Sequence, residues 1–494
     1  MRLSELIEDV PLVPASRPPD PNVTGLTCDS RAVEPGYLFA AFAGSRADGA
    51  DFIDDAIARG AVAVLVAPDM NRREPIAAAV IADPNPRRRY AQLAARFYAD
   101  QPRTIAAVTG TNGKSSVVSF LRQIWTRLGR PSASLGTLGM ESDRIQSPVR
   151  LTTPDAALLH LRLAELAHAG IDHLAIEASS HGLDQHRIDG VRIGAAAFTN
   201  LTRDHLDYHG SIASYLAAKR RLFESVMAPG GVAVLNAESP EFEGLAQACW
   251  AKRHRVIAYG RHAPRSHRAV TLADLVPTPR GQRLTIEADA ARWTGEVPLI
   301  GSFQADNLLC AAALAIGCGD DAEAVLEALP GLTGVPGRVE RVATLANGAS
   351  IFVDYAHTPD ALRALLTALR DHVTARLCVI FGCGGERDPG KRVQMGQAAA
   401  ALADRVIVTD DNPRGEDPAA IRAAVLAGCA DAEEIGDRAQ AIVAAIRELE
   451  PGDLLVIAGK GHETGQIVAG TTIPFDDAEV ARQAVRSLAG AGFR

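Results

Sequence analysis

The chain has no basic excess: 51 lysines and arginines face 59 aspartates and glutamates, for a net charge of −8. Nucleic-acid and anionic-membrane partners both need a basic surface, so neither is expected. No stretch approaches about 18 uninterrupted apolar residues, and the start, M-R-L-S-E-L-I-E-D-V-P, lacks a long uncharged core and a cleavage site. A cytoplasmic enzyme without membrane insertion is the expectation. The seven cysteines (28, 249, 310, 318, 378, 383 and 429) contain no C-x-x-C pair. An odd, sparse set fits neither a disulfide framework nor a zinc site and predicts reduced, mostly buried thiols. Internal repeats and low-complexity tracts are also missing. What remains is ordinary globular composition, 47% apolar and 22% charged over 494 residues, long enough for three domains.

The most informative stretch is Ala106 to Ser116, A-A-V-T-G-T-N-G-K-S-S. A short apolar strand, Ile105 to Val108, breaks into a glycine-bracketed turn, and helical periodicity resumes through Val118, Leu121, Trp125 and Leu128. Gly110 and Gly113 let backbone N–H groups approach a polyphosphate at a helix N-terminus, with Lys114 reaching the outer phosphates and Ser115 ligating Mg²⁺. The general pattern places a glycine five residues before the G-K pair; here that position is Val108, so the loop is one turn shorter.

Residues 1–103 read as a small α/β unit with strands at Gly36–Ala43 and Ala61–Ala67 and a helix, Pro86–Tyr98, capped by D-P-N-P. C-D-S-R at 28–31 and G-S-R-A-D-G at 44–49 are polar turns beside strands. From 104 to 336 strands and helices alternate, which implies a mostly parallel sheet with function at the strands' carboxyl ends. L-T-T-P at 151–154 reads as a helix start with Thr153 as the cap. Strand His173–Ile176 ends on Glu177, which either ligates Mg²⁺ or faces solvent. Strand Ala195–Phe198 runs into T-N-L-T-R-D-H-L-D-Y-H-G. In the next helix Ile212, Tyr215, Leu216, Leu222, Phe223 and Val226 form an apolar stripe that takes in Lys219, while Arg220 and Arg221 point away. Such a lysine either snorkels or pairs with an acid, or, with its pKa lowered by burial, takes up CO₂ as a metal-binding carbamate. Ile300–Ile316 is a turn and buried helix offering Asn307 to a nucleotide, and residues 332–340 form a hinge holding Arg338. Beyond it, strands Ser350–Val353, Leu377–Phe381, Arg405–Val408 and Leu454–Ile457 each end in a polar loop. They place one crevice along one edge of a doubly wound sheet.

T-G-T-N-G-K-S-S, E-A-S-S-H-G-L, T-N-L-T-R-D-H-L-D-Y-H-G, the A-A-K of Lys219, D-Y-A-H-T-P-D-A-L, G-C-G-G-E-R-D and D-N-P-R resemble, in order and over nearly the whole chain, the motifs of the Mur ligase family. The family's shorter loop accounts for Val108. The resemblance implies an α/β protein of three domains: a small UDP-sugar-binding domain (1–103), a P-loop-type mostly parallel sheet binding ATP (104–336), and a Rossmann-like amino-acid-binding domain (337–494). It implies ATP and Mg²⁺ as cofactors, a monomer, and ligation of meso-2,6-diaminopimelate to UDP-N-acetylmuramoyl-L-alanyl-D-glutamate through an acyl phosphate in peptidoglycan synthesis. By position, Gly110, Thr111, Asn112, Gly113, Lys114, Ser115 and Ser116 hold ATP with Asn307, Arg338 and Asp354. Ser115, Glu177 and His205 belong to the Mg²⁺ site, and Lys219 is the carbamylated lysine (N6-carboxylysine). Cys28, Ser30 and the Ser45, Arg46, Ala47 turn contact UDP; Thr152, Thr153, Ser179, Gln185 and Arg187 contact the muramoyl-dipeptide. Arg387, Asp411, Asn412, Pro413, Arg414, Gly459 and Glu463 form the amino-acid pocket. Leu151 stands where relatives can carry a polar residue and is left outside the site.

Arg414 offers a planar fork for the second carboxylate that separates meso-diaminopimelate from L-lysine, unless it merely pairs with Glu416 or Asp417. The alternatives are the same ligase adding L-lysine, a folylpolyglutamate synthetase-like ligase, and an ATP-hydrolysing switch. L-T-T-P, D-N-P-R and C-D-S-R count against the second, and hydrolysis without co-substrates would mark the third.

Overall fold

The computed structural model describes residues 1–7, 20–44, 48–68, 70, 76–147, 151–264, 267–278 and 281–491. They form a three-domain α/β protein whose main sheets follow one another along the chain. The first is parallel, with β1 (Gly25–Thr27), β2 (Tyr37–Ala40), β3 (Ala63–Val66) and β4 (Ala79–Ala82) in that order. Only β2 and β3 were legible as strands: β1, with three residues, is too short to show a period, and β4, as long as β2 and β3, was not singled out. Helix α1 (Pro86–Tyr98) starts as expected, with the Asn85 side chain accepting from the Arg88 N–H and Pro86 in the first turn. It buries Tyr90, Ala91, Leu93 and Ala94 in the core it shares with this sheet.

The central sheet is built from β5 (Thr104–Thr109), β6 (Ser132–Gly136), β7 (Gly139–Ser142), β8 (Gln146–Ser147), β9 (His173–Glu177), β10 (Ala195–Phe198), β11 (Val232–Asn236), β12 (Arg255–Gly260), β13 (Arg268–Thr278), β14 (Gly281–Ala288) and β15 (Ala291–Val297). Their order is β15-β14-β13-β12-β11-β10-β5-β9-β6-β7-β8, parallel from β13 through β6 and antiparallel at both edges. Because β5 lies between β10 and β9, the loops after these three strands open side by side at one edge. Helix α2 (Lys114–Arg127) follows β5, α3 (Ala156–His168) precedes β9, α4 (Ile212–Arg221) follows β10, and α5 (Ser302–Gly317) closes the domain. Trp125 and Leu121 of α2 and Leu308 and Leu309 of α5 share one core. Among the described residues no helix is long and apolar enough to cross a membrane.

The last domain contributes β16 (Glu340–Thr344), β17 (Ser350–Asp354), α6 (Pro359–Arg370), β18 (Leu377–Phe381), β19 (Arg405–Val408), β20 (Glu433–Glu434) and β21 (Leu454–Ala458), with a separate hairpin of β22 (Gly465–Val468) and β23 (Thr471–Pro474). The sheet order is β16-β17-β21-β18-β19-β20, with only β16 antiparallel, so the four polar loops do share one edge. The seven cysteines are free and five of them are buried.

Three local expectations are corrected. The cap of α3 is Asp155, whose carboxylate accepts from the Ala157 and Leu158 N–H groups. Thr153 is drawn away because its hydroxyl donates to the Glu177 carbonyl (2.9 Å) and accepts from the Ser179 N–H (3.0 Å). On α4, Ile212 is exposed, because the stripe turns inward only from Tyr215 onward. Arg221 does not point away: it reaches Asp189 (3.1 Å), His186 and the Leu183 carbonyl, while Arg220 pairs with Glu224.

His160 of α3 is 1% exposed, and its Nε2 donates to the Asp189 carbonyl at 3.2 Å. Burial holds this imidazole at about 4, against an ordinary 6.5. Above 6.5 both folded and unfolded chains carry it neutral; as pH falls from 6.5 toward 4 only the unfolded chain takes the proton, so stability is lost across that window, by on the order of 3 kcal/mol for this group. Thermal denaturation at pH 7.5 and pH 4.5 should show that loss, and His160→Gln, which keeps a donor for the carbonyl, should reduce it.

Candidate active site

The turn after β5 takes its shape from the loop after β10. The Asn200 carbonyl accepts from the Thr111 N–H (2.8 Å) and the Asn200 side chain from the Asn112 N–H (2.9 Å), while the Thr199 hydroxyl donates to the Asn112 carbonyl at 2.6 Å. Gly113, at φ +88°, is the residue before α2, and a Cβ there would strike the Asn307 side chain of α5. The first-turn N–H groups of α2 have no partners within the helix, and Gly113, Lys114 and Ser115 line a cavity beside Glu177, Lys219 and His205. This is a helix N-terminus prepared for anionic oxygens. The Lys114 ammonium rests on the carbonyls of Gly110 (3.0 Å) and Thr111 (2.8 Å).

Glu177 ends β9, next to β5, and is 2% exposed, so the solvent-facing reading is excluded. Its carboxylate accepts from the Thr137 N–H (2.8 Å) and hydroxyl (3.2 Å), and it occupies the space a Cβ on Gly136 would need. Lys219 of α4 is 1% exposed, donates to the Gly110 carbonyl at 2.6 Å, and lies 4.2 Å from the centre of the Tyr215 ring. It makes no ion pair among the described residues. Burial drives its amine well below the ordinary lysine value, Lys114 pushes the same way, and Asp204 opposes. Lys114 is lowered too, again mainly by burial, but Glu177 and Asp204 both pull it back. The two amines reach the same carbonyl, and two unit charges ~5 Å apart repel by about 3 kcal/mol at an effective dielectric of ~20. Of the two amines, Lys219 has the fewer acids nearby to oppose the downward shift.

His205, at φ +52°, lies 3.4 Å from Asp204 and edge-on to His181. The described residues contain no cluster of three His, Cys, Asp or Glu able to cage a metal. They do offer the Ser115 hydroxyl and the Glu177 carboxylate, a set that suits Mg²⁺ arriving with phosphate oxygens and water.

A second cavity of about 320 Å³ continues from Gly113, Ser115 and Ser116 to Asn307, Phe303 and Tyr259, closed from the last domain by Asp354, Tyr355 and Leu365. Arg338 stacks 4.5 Å over the Tyr355 ring and donates to the Ser115 hydroxyl at 3.3 Å. Asp354 accepts from the Val339 (2.8 Å) and Ala356 (2.7 Å) N–H groups, and burial raises its carboxyl in spite of Arg338. Asn307 donates to Gln304 at 3.0 Å.

A third cleft of about 340 Å³ gathers Arg387, Asp411, Asn412, Arg414, Gly459 and Glu463 opposite Asp204 and His205. Arg414 donates to the Gly385 carbonyl (2.8 Å). It does not pair with Glu416, which is taken by Arg392 at 2.8 Å, nor with Asp417, which caps the following helix. Asn412 donates to Glu463 at 2.9 Å, and a Cβ on Gly459 would crowd the Asp411 carboxylate. Pro413 stays off the cleft wall and accepts through its carbonyl from the Glu416 N–H.

The remaining expected residues are more dispersed. Thr152, bonded to Thr137 at 3.0 Å, and Ser179 line the phosphate cavity, while Thr153 is buried behind it. Arg187 binds Gln185 (2.7 Å) and the Thr153 carbonyl (2.8 Å), and Gln185 binds Tyr208. Cys28 and Ser30 lie at the end of β1, apart from all three cavities; burial lifts the Cys28 thiol to about 11. Ser45, Arg46 and Ala47 fall outside the described residues. Thr137, Thr199, Asn200, Asp204 and Tyr355 were not singled out, since alone each looks like turn chemistry; all but Thr137 were at least inside motifs that stood out.

Three family models match the chain: the Mur ligase family catalytic domain over residues 22–98, the Mur ligase middle domain over 108–315, and the Mur ligase glutamate ligase domain over 337–461. The chain belongs to the Mur ligase family. It is 52% identical over 490 residues to a protein of Bradyrhizobium diazoefficiens named UDP-N-acetylmuramoyl-L-alanyl-D-glutamate–2,6-diaminopimelate ligase, covering 99% of each chain. It is 49% identical to one of the same name from Caulobacter vibrioides, covering 95% of this chain and 96% of that one. A solved structure carrying that name is 33% identical, with a TM-score of 0.71 and 99% of each chain covered.

For this Mur ligase, Gly113→Ala tests the turn: the φ of +88° disfavours a side chain, at about 1–2 kcal/mol, and the methyl displaces Asn307. Calorimetric titration should show ATP binding weakened by ~10-fold or more, with thermal unfolding lowered only slightly.

Proposed function

We propose that this Mur ligase joins meso-diaminopimelate to the D-glutamyl γ-carboxylate of UDP-N-acetylmuramoyl-L-alanyl-D-glutamate with cleavage of ATP to ADP and phosphate, in the cytoplasm, where ATP and UDP-linked sugars are supplied. The observation that carries the reading is the third cleft, where Arg414 has no carboxylate partner among the described residues and stands with Arg387, Asp411 and Glu463 across from Asp204 and His205. The relatives named for this reaction, similar over almost their whole length, support it. The division at 1–103, 104–336 and 337–494 belongs to the same proposal.

In this reading the α2 N-terminus and Lys114 hold the triphosphate, with the base in the cavity of Asn307, Phe303 and Tyr259. The γ-carboxylate, brought in past Thr152 and Ser179, takes the γ-phosphoryl group to give an acyl phosphate. The amine of diaminopimelate then attacks the acyl carbon, losing a proton, and phosphate leaves. Ser115, Glu177 and a carbamate on Lys219 would hold magnesium, which when bound neutralises phosphate charge. Lys219 is suited to carbamylation because burial disfavours its ammonium, and the neutral amine is the form that attacks CO₂. Most of the acceleration comes from positioning and charge compensation.

Arg414 gives the selectivity. L-lysine lacks the far carboxylate and would leave the guanidinium desolvated and unpaired, a penalty of about 2 kcal/mol or more. Phosphate release should therefore require both the UDP-muramoyl dipeptide and an amino acid, with diaminopimelate strongly preferred, and Arg414→Ala should lose the preference with most of the activity. Equal efficiency with lysine would sink the amino-acid assignment; release without co-substrates would sink the ligase.

Lys219→Ala should lower turnover ~100- to 1000-fold while preserving the fold, with partial recovery on adding small carboxylates. ¹³CO₂ labelling of the unmutated enzyme should give a carbamate signal that the variant lacks.

A further inference from the structure

Lys460 follows β21 and is 0% exposed. It is absent from the walls of all three cavities. An ammonium carries three donors, and each finds one oxygen: Glu463 Oε2 at 2.8 Å, Asn412 Oδ1 at 3.1 Å and the Gly465 carbonyl at 2.6 Å. These oxygens come from three separate segments: the loop after β19, the loop after β21, and the start of β22.

The contact with Asn412 decides which way that amide faces. Its Oδ1 accepts from Lys460 and from the Ile467 N–H (2.9 Å), so its Nδ2 must turn to Glu463 Oε2 (2.9 Å). One oxygen of Glu463 is thereby held by two donors, on a residue that lines the cleft. The hairpin anchored through Gly465 lies along the D-N-P-R loop: Gln466 donates to the Asp411 carbonyl (2.6 Å), Arg414 N–H to the Ile467 carbonyl (3.0 Å), and Ala469 N–H to the Arg414 carbonyl (2.7 Å). Those bonds hold Arg414 at its φ of +54°. Burying an ammonium is costly, and an apolar side chain often stabilises a core as well or better. The arrangement therefore points to what its partners do: all three lie in segments that shape the amino-acid cleft.

We propose that Lys460 is a positioning residue for amino-acid selection, one buried ammonium that ties the loops after β19 and β21 to the β22–β23 hairpin. Glu463 then presents a single oxygen to a substrate ammonium, and Arg414 stays set for the far carboxylate. This rests on reading the cleft as the diaminopimelate site.

The test is steady-state kinetics with ATP, the UDP-muramoyl dipeptide and diaminopimelate varied in turn, on the unmutated enzyme, Lys460→Met and Lys460→Arg, with thermal unfolding of each. Both variants should raise KM for diaminopimelate, by ~10- to 100-fold in Lys460→Met, with KM for the other two substrates within about twofold and a smaller preference over L-lysine. Arginine should not restore the value, because its fork cannot reach three oxygens from one nitrogen. An unmutated enzyme that is active while the variants match it, or lose efficiency evenly across all three substrates, overturns this inference alone. Failure of both variants to fold assigns Lys460 to stability and also overturns it. No phosphate release with diaminopimelate by the unmutated enzyme overturns it together with the reading of the cleft.

Discussion

The bracing of the turn after β5 by Thr199 and Asn200 is the constraint on which the rest of the site depends. A turn that keeps some N–H groups free for phosphate leaves its other peptide groups needing partners, and such an arrangement is unstable alone because peptide groups do not stay unpaired. Here the neighbouring parallel strand supplies the partners: Asn200 takes the Thr111 and Asn112 N–H groups and Thr199 occupies the Asn112 carbonyl. The Gly110 carbonyl, left over on the inside, collects the Lys114 and Lys219 amines. Side chains from three segments, the loop after β10, α2 and α4, are thus referred to a few backbone atoms.

Charge in this cavity is balanced closely. Lys114 and Lys219 face Glu177 and Asp204 in a buried space, where Coulomb effects are several times stronger than in water. Burial lowers both amines, and Lys219 has the fewer acids nearby to oppose it. Glu177 stays in place because Thr137 donates to it twice and Gly136 leaves it room. The last domain meets this cavity through Arg338 on Ser115, and it pairs with the central domain through Arg203 and Asp388 at 3.1 Å. The second is an exposed pair worth about 0–1 kcal/mol, so direct ion pairing contributes little to holding the domains together; a polyanion between Lys114 and Arg338 has much more to offer.

Much of this was legible in the chain. The phosphate turn, Pro86–Tyr98, the four strands of the last sheet and the inward Lys219 all rest on local signals: glycine placement, a cap, an apolar run, a stripe at helical spacing. Where signals were short or local chemistry had a competitor, reading failed. β1 carries too few residues for a period. Thr153 looks like a cap until the Glu177 carbonyl and Ser179 N–H compete for its hydroxyl. Arg221 looks solvated until Asp189, 32 positions earlier in the chain, comes alongside.

The sequence by itself determined the fold class, the phosphate turn and the chemical kinds of group at each strand end, because those follow from spacing over a few residues. Only the tertiary structure decided that Glu177 is buried, that Glu416 and Asp417 have other partners and leave Arg414 available, and that Lys460 gathers three segments. Partner choice is a competition among groups far apart in the chain, and its outcome is set by which loops the sheet order brings to the same edge.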